Sequence, residues 1–507
     1  MPEQPNIIMI LCDELRADAL GCFGNPIVKT PNIDRLAREG ARFSQCFVTQ
    51  PTCTPSRASI LTGCYPSALH TRMVGCYTPD DERFLPRVLS TAGYRRASIG
   101  KIHLAPQAAE PELAAQALAD DDGSYYGFQA VDLVNGHGSR CFGNRYTEWL
   151  RERVPDLGER QANTTPYENG VNCWRWNLPE SVHSSHYIAN RAIDFLETAS
   201  EAPCFLHVSF PDPHYPFTVP APWASRYDPA DMPPPIPAVS ESFDMPDLHE
   251  RVYRGPQTPA SDGARPRDRV IGTPPHNYAL YDEKDWRQVK AIYYGMVSLL
   301  DHSIGRILKA VDRLGMNDNT IIVFVSDHGD YLGDHGMYGK GLAYESALRT
   351  PLIFRGPGVA AGQTISSVES TLDIAPTLLE YAGASEPEGV QGCSLMPLLK
   401  GADQPRPGAA LVENDDDFAA LRMRTLITPR WRLTHYHAQD WGELIDRERD
   451  PLEMRNLWND PAHAAVKQKL LIQLLDEVGA SIDMRNGRRQ QPSAPVPKWR
   501  ALAAKLD

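Results

Sequence analysis

Ile7-Ile8-Met9-Ile10-Leu11-Cys12, ended abruptly by Asp13-Glu14, is the stretch on which the fold turns. A continuous apolar run without alternation is the pattern of a strand buried on both faces of a parallel sheet, and it leaves the two acids at the strand's C-terminal end. The helix that a parallel connection needs comes next. Thr30-Pro31 supplies an N-cap and a first-turn proline, Ile33, Leu36 and Ala37 recur at helical spacing, and Gly40 closes the element. The alternation continues with a helix around Phe84 to Thr91, a strand Ala97 to Gly100, a helix Tyr187 to Thr198 and a strand Phe205 to Phe210. A long helix from about Glu283 to Leu314, closed by Gly315, leads into the strand Thr320 to Ser326, which again ends in an acid, Asp327. The pattern is α/β: a central, mostly parallel sheet flanked by helices, with carboxylates at the edge where open α/β sheets bind ligands.

The composition narrows the rest. At 507 residues and 42% hydrophobic content the chain has ample material for a large core. Its 51 basic against 64 acidic residues give a net charge of −13, which argues against nucleic acid or an anionic membrane as partner and means that an anionic substrate must meet locally placed cations. Ten cysteines without a C-x-x-C pair are neither a disulfide framework nor a zinc knuckle and suit a reducing compartment. No apolar run approaches the ~18 residues of a membrane span. Met1 to Asn6 has no basic n-region, so a cytoplasmic location is expected. Residues 1–400 are expected to form the main domain, with a proline-rich excursion over the site at about 211–275. Residues 401–485 form a small α+β subdomain with a strand Trp431 to Tyr436 and a helix from about Pro461 to Val478. Residues 486–507 read as an arm packing on another subunit, in a dimer or tetramer.

The chemistry is concentrated in Cys53-Thr54-Pro55-Ser56-Arg57, followed by Ala58-Ser59-Ile60-Leu61-Thr62-Gly63. Proline just inside a helix start puts Cys53 at a helix N-terminus, whose free N–H groups and dipole attract anions. Taken alone, such a cysteine is more often a buried thiol than a nucleophile. Its setting reverses that. C-x-P-x-R followed by A-S-x-L-T-G resembles the signature of the type I, formylglycine-dependent sulfatases of the alkaline phosphatase superfamily, close to arylsulfatases and phosphonate monoester hydrolases. The resemblance extends to Asp13-Glu14, Thr30 to Leu36, Gly100-Lys101-Ile102-His103-Leu104, Pro213-His214-Tyr215-Pro216, Ser326-Asp327-His328-Gly329 and Lys340 before Tyr344-Glu345. Asp373 to Leu379 and Leu444 to Asn456 carry it over most of the chain.

The resemblance implies an alkaline-phosphatase-like sandwich in which a formylglycine-generating enzyme has oxidised Cys53 to formylglycine (3-oxoalanine). The aldehyde hydrates to a geminal diol: one hydroxyl attacks sulfur or phosphorus, and the resulting ester collapses through the other. By the same resemblance Asp13, Glu14, Cys53, Asp327 and His328 hold one divalent ion and Arg57 steadies the nucleophile. Lys101 and Lys340 grip the sulfuryl oxygens, His103 relays the diol proton, and His214 is the general acid for the leaving alcohol. The chain departs from the commonest pattern at two positions. Glu14 stands where a second aspartate is usual, and His328 stands where calcium-binding sulfatases carry asparagine and phosphonate monoester hydrolases carry histidine. Ca2+ is the expected ion, with Mn2+ as the alternative that an imidazole ligand favours. Lys101 and His103 lean toward sulfatases.

The expected activity is therefore hydrolysis of small-molecule sulfate monoesters, the alternative being hydrolysis of phosphonate monoesters and phosphodiesters with sulfatase side activity. Two readings from other classes compete: an anion-binding protein in which Cys53 stays a thiol, and a phosphotransferase, against which the cysteine in the motif argues. No pattern identifies the leaving group.

Overall fold

The computed structural model describes residues 4–120, 122–136, 145–155, 164–198, 202–237, 281–401, 408–416 and 421–483. The larger part of the proline-rich excursion, and the C-terminal arm, lie outside the described residues. The strands are β1 (Asn6–Cys12), β2 (Ala41–Phe47), β3 (Arg95–Gly100), β4 (Ala130–Leu133), β5 (Thr164–Pro166), β6 (Cys173–Trp176), β7 (Cys204–Phe210) and β8 (Phe217–Val219). They continue with β9 (Thr320–Ser326), β10 (Arg349–Arg355), β11 (Gln363–Ser370), β12 (Ala410–Asp416), β13 (Leu421–Ile427), β14 (Trp431–Tyr436) and β15 (Gly442–Asp446).

Eight of these strands form the central sheet in the order β11-β2-β10-β9-β1-β7-β3-β4. β1 is central and pairs in parallel with β7 and β9; β10 alone runs against both of its neighbours. The unbroken apolar run of β1 has a direct physical cause. Ile8 and Ile10 join a core with the helices Pro31–Glu39 (α1), Ser184–Glu197 and Glu283–Arg313, whereas Ile7, Met9 and Leu11 join the core on the other face with the helices Cys53–Thr62 (α2), Leu85–Thr91 and Ile374–Ala382. With helices on both faces, neither side of the strand tolerates a polar residue. These five side chains are fully buried and together stabilise the fold by about 7–15 kcal/mol before entropic costs.

α1 has the expected bounds but a different cap. The Thr30 side chain makes no capping bond and donates instead to Asp34 Oδ1 at 3.0 Å. The free N–H groups of Asn32 and Ile33 are taken by Asp301 Oδ1, at 2.9 and 2.8 Å, from the helix Glu283–Arg313. After the central sheet comes a four-stranded antiparallel sheet, β12-β13-β14-β15, on which the helix Ala464–Ala480 packs Leu470 and Leu474. A third sheet joins β5, β6 and β8. Among the described residues no helix is long and apolar enough to cross a membrane.

Candidate active site

β1 and β9 run in register, Cys12 opposite Ser326, so both strands leave the sheet at the same level and deliver Asp13 and Asp327 side by side. The backbone beyond them is tightly held. Asp13 N–H donates to Phe210 O at 3.1 Å, Asp327 N–H to Cys12 O at 3.1 Å, and Glu14 N–H to Asp327 Oδ1 at 3.0 Å. Glu14 has φ +65°, a left-handed conformation in a non-glycine residue. Tyr293 clamps it: its hydroxyl donates to Glu14 O at 2.8 Å and accepts from Arg16 N–H at 2.9 Å. Gly329 permits a close approach at the other loop, since a Cβ there would lie 1.9 Å from Ser346 O.

α2 begins at Cys53, and all ten of its residues are buried, polar ones included. That requires internal partners for Ser56 and Arg57. Ser56 Oγ donates to Asp327 O at 2.6 Å; Arg57 donates from Nε to Asp327 Oδ2 at 2.7 Å and from one terminal nitrogen to Lys101 O and Ser209 Oγ, both at 2.9 Å. α2 is thereby bolted to the ends of β9, β3 and β7, and Cys53 is aimed at the acids. Its Sγ lies 3.2 Å from His328 Nε2, 3.6 Å from Asp13 Oδ1 and 4.0 Å from Lys101 Nζ. Burial, with Asp13 adding to it, pushes the Cys53 thiol up to about 12.

Charge is arranged in pairs around this sulfur. Lys101 Nζ donates to Asp13 Oδ2, and burial of Asp13 is overcome by Lys101, His214 and Arg57, which hold its carboxyl well below the usual range. Lys340 Nζ donates to Glu14 Oε2 at 2.9 Å; burial opposes its charge, but Cys53 and Glu14 hold the ammonium well above its usual range. His214 Nδ1 meets Tyr215 O, and its Nε2 is 3.2 Å from Glu14 Oε2. Both ring nitrogens thus face oxygen atoms, and burial pushes the Glu14 carboxyl well above its usual range. His103, at φ +59°, is fixed through its backbone: its N–H and that of Leu104 donate to the Glu110 carboxylate at 3.1 and 3.0 Å. Burial, then Lys101 and Arg57, hold its imidazole well below the usual range, so the ring is neutral.

Asp13, Cys53, Asp327 and His328 converge as one potential metal-ligating set, and Asp13, Glu14 and His214 form an adjoining one. His328 Nδ1 lies 2.9 Å from Gly329 O, which leaves the Nε2 lone pair directed at Cys53 and the acids. Glu14 Oε1 is buried with no hydrogen-bond partner among the described residues. Two carboxylates, Asp13 and Asp327, and an imidazole with its Nε2 inward make a donor set that fits a divalent cation, with Glu14 adjoining it through the set it shares with Asp13 and His214. Sequence reading missed Asp330, whose carboxyl is buried against Glu14 and is pushed by burial up to about 6. It follows directly after Ser326-Asp327-His328-Gly329, but an aspartate there reads as a turn former. Glu110, Tyr293, Gln50 and Asn414 were also missed, and nothing in their local patterns marks them.

The chain matches the sulfatase family over residues 5–384 and the C-terminal region of N-sulphoglucosamine sulphohydrolase over residues 333–479. It is 30% identical to an arylsulfatase of Clostridium perfringens, with 90% of each chain covered. It is 29% identical to a multifunctional alkaline phosphatase superfamily protein of Trinickia caryophylli, covering 91% of this chain and 92% of that one. Among solved structures, a phosphonate monoester hydrolase of Agrobacterium radiobacter superposes with a TM-score of 0.81 at 28% identity, over 97% of this chain and all of that one.

Proposed function

Because the chain belongs to the sulfatase family, and is by that membership a sulfuric ester hydrolase, we propose that it cleaves small-molecule sulfate monoesters at Cys53 in its formylglycine form, with one divalent cation bound. The observation that carries the reading is the setting of Cys53 Sγ, at the first residue of a buried helix with His328 Nε2 at 3.2 Å, Asp13 Oδ1 at 3.6 Å and Lys101 Nζ at 4.0 Å. As formylglycine hydrate, Cys53 supplies an oxygen nucleophile and a second hydroxyl for product release, which a thiol held near 12 does not. A bound divalent ion supplies Lewis acidity that lowers the pKa of that hydroxyl. Asp13, Glu14, Asp327 and His328 would hold it, and the imidazole donor weights the set toward Mn2+ over Ca2+.

The remaining steps belong to the chain's own side chains. Lys101 and Lys340 neutralise the ester's non-bridging oxygens, and their worth rises because the site is buried. Arg57 fixes the start of α2 against Asp327. His103, neutral, takes the proton of the diol hydroxyl. His214 gives a proton to the departing alcohol oxygen. Cys53 is only 2% exposed once folded, so its oxidation by a formylglycine-generating enzyme precedes folding of this segment.

A second reading, a phosphonate monoester or phosphodiester hydrolase with sulfatase side activity, is favoured by His328 and by the likeness to the Agrobacterium radiobacter enzyme. The two are separated by kcat/KM for 4-nitrophenyl sulfate against 4-nitrophenyl phenylphosphonate on fully modified protein, with Cys53→Ala as blank. A clear preference for the phosphonate overturns the first reading, and no turnover of either ester overturns both.

A further inference from the structure

One link from the C-terminal sheet to the candidate site runs through Asn414. Glu413 N–H donates to Thr49 O at 2.8 Å, which ties β12 to the chain leading into α2 and brings Asn414 beside Gln50. Asn414 is 1% exposed. Its Oδ1 accepts from Gln50 Nε2 at 2.9 Å, and its Nδ2 donates to Gly341 O at 2.6 Å. Gln50 Nε2 also lies 3.1 Å from Thr52 Oγ1 and 2.7 Å from Arg72 O, and Thr52 occupies the N-cap position of α2 immediately before Cys53 without a side-chain capping bond. Gly341 follows Lys340 directly. A single amide therefore spans the segment that presents the nucleophile and the loop that presents Lys340.

The Lys340 loop needs such a tether. Gly341 has φ +122°, a conformation closed to other residues, and no atom would contact a Cβ built there. Tyr331 holds this peptide on one side, its hydroxyl accepting from Leu342 N–H at 2.5 Å, and the bond from Asn414 to Gly341 O holds it on the other. We infer that Asn414 is a positioning residue that sets Lys340 relative to Cys53, so that the C-terminal sheet completes the catalytic site. The inference rests on the assignment of Lys340 as a ligand of the ester's charged oxygens.

The test uses Asn414→Ala and Asn414→Asp in the full, modified chain and in a Lys340→Met background. It measures kcat and KM for 4-nitrophenyl sulfate and the inhibition constant of inorganic sulfate. Asn414→Ala removes both bonds, whereas Asn414→Asp keeps an acceptor for Gln50 and sets a carboxylate oxygen and its charge against Gly341 O. Losing the bond to Gly341 O, the loss common to both variants, should raise the sulfate inhibition constant at least about five- to tenfold in each, with kcat/KM falling in step. In the Lys340→Met background the added effect should be less than about twofold, because a residue that acts through another has nothing left to lose. A purely structural role would lower kcat through a smaller active fraction and leave the inhibition constant unchanged. An unchanged inhibition constant, or an equal rise in both backgrounds, overturns the inference. A Lys340→Met protein that binds sulfate as tightly as the unsubstituted one removes the assignment on which it rests.

Discussion

Replacing His214 by Asn separates proton donation from every other contribution to the site. Both ring nitrogens of His214 face oxygens, Tyr215 O and Glu14 Oε2, which hold the ring beside the site in reach of a departing alcohol. A positioned general acid contributes about 10²–10⁴-fold in rate, and it does so only where the leaving oxygen needs a proton in the transition state. An alkyl sulfate releases a strongly basic alkoxide and needs the whole effect, whereas 4-nitrophenolate is stable without a proton and needs little. The substitution also strips Glu14 Oε2 of one partner while leaving Lys340 at 2.9 Å, and that cost falls equally on every substrate. The ratio of the two losses therefore isolates the acid. His214→Asn should lower kcat/KM for an alkyl sulfate by about 10²-fold or more beyond its effect on 4-nitrophenyl sulfate. The assay is release of inorganic sulfate from both esters by the two proteins under the same conditions. Equal losses for the two esters would refute the assignment and make His214 a residue that merely orders the Pro213–Pro216 loop.

Other measurements probe the rest of the scheme. Asp301→Ala strips the caps from Asn32 and Ile33 and should cost about 2–3 kcal/mol. At about 1 kcal/mol/K of unfolding entropy for a chain this long, that is a fall of about 2–3 °C in Tm with kcat unchanged. Any unmodified Cys53 should remain a thiol at pH 8, because the burial that raises it to about 12 confines the thiolate to strongly alkaline solution. Mass spectrometry should therefore find it alkylated by iodoacetamide far more slowly in the folded protein than in urea. Chelation should abolish turnover, with Mn2+ restoring it better than Ca2+, and Asp327→Asn should reduce bound metal per chain as measured by mass spectrometry with plasma ionisation.

Much of the architecture was legible in short stretches of chain. The apolar run of β1 announced a strand covered on both faces, because burial on two sides forbids alternation, and the acid that follows each of β1 and β9 pointed to the binding edge of the sheet. The bounds of α1 and of the helix Glu283–Arg313 followed from proline, glycine and helical spacing, which act between residues a few positions apart. Cys53 at the first position of α2 was foreseeable for the same reason. The strand β2 was not anticipated: Ala41–Phe47 mixes Arg42, Ser44 and Gln45 with its apolar residues, and only pairing with β10 and β11 makes it a strand.

The sequence by itself therefore determined the fold class, the order of its elements and the residue types assembled for the chemistry, since periodicity, capping and turn preference are local properties. Tertiary structure decided which groups meet. It set the cap of α1 on Asp301, the pairing of Asp13 with Lys101 and of Glu14 with Lys340, and the burial of Asp330 against Glu14. It also brought Asn414 of the C-terminal sheet between Gln50 and Gly341. Each of these joins segments separated along the chain, and its strength depends on burial and on distances of a few ångströms, quantities that arise only when the whole chain has packed.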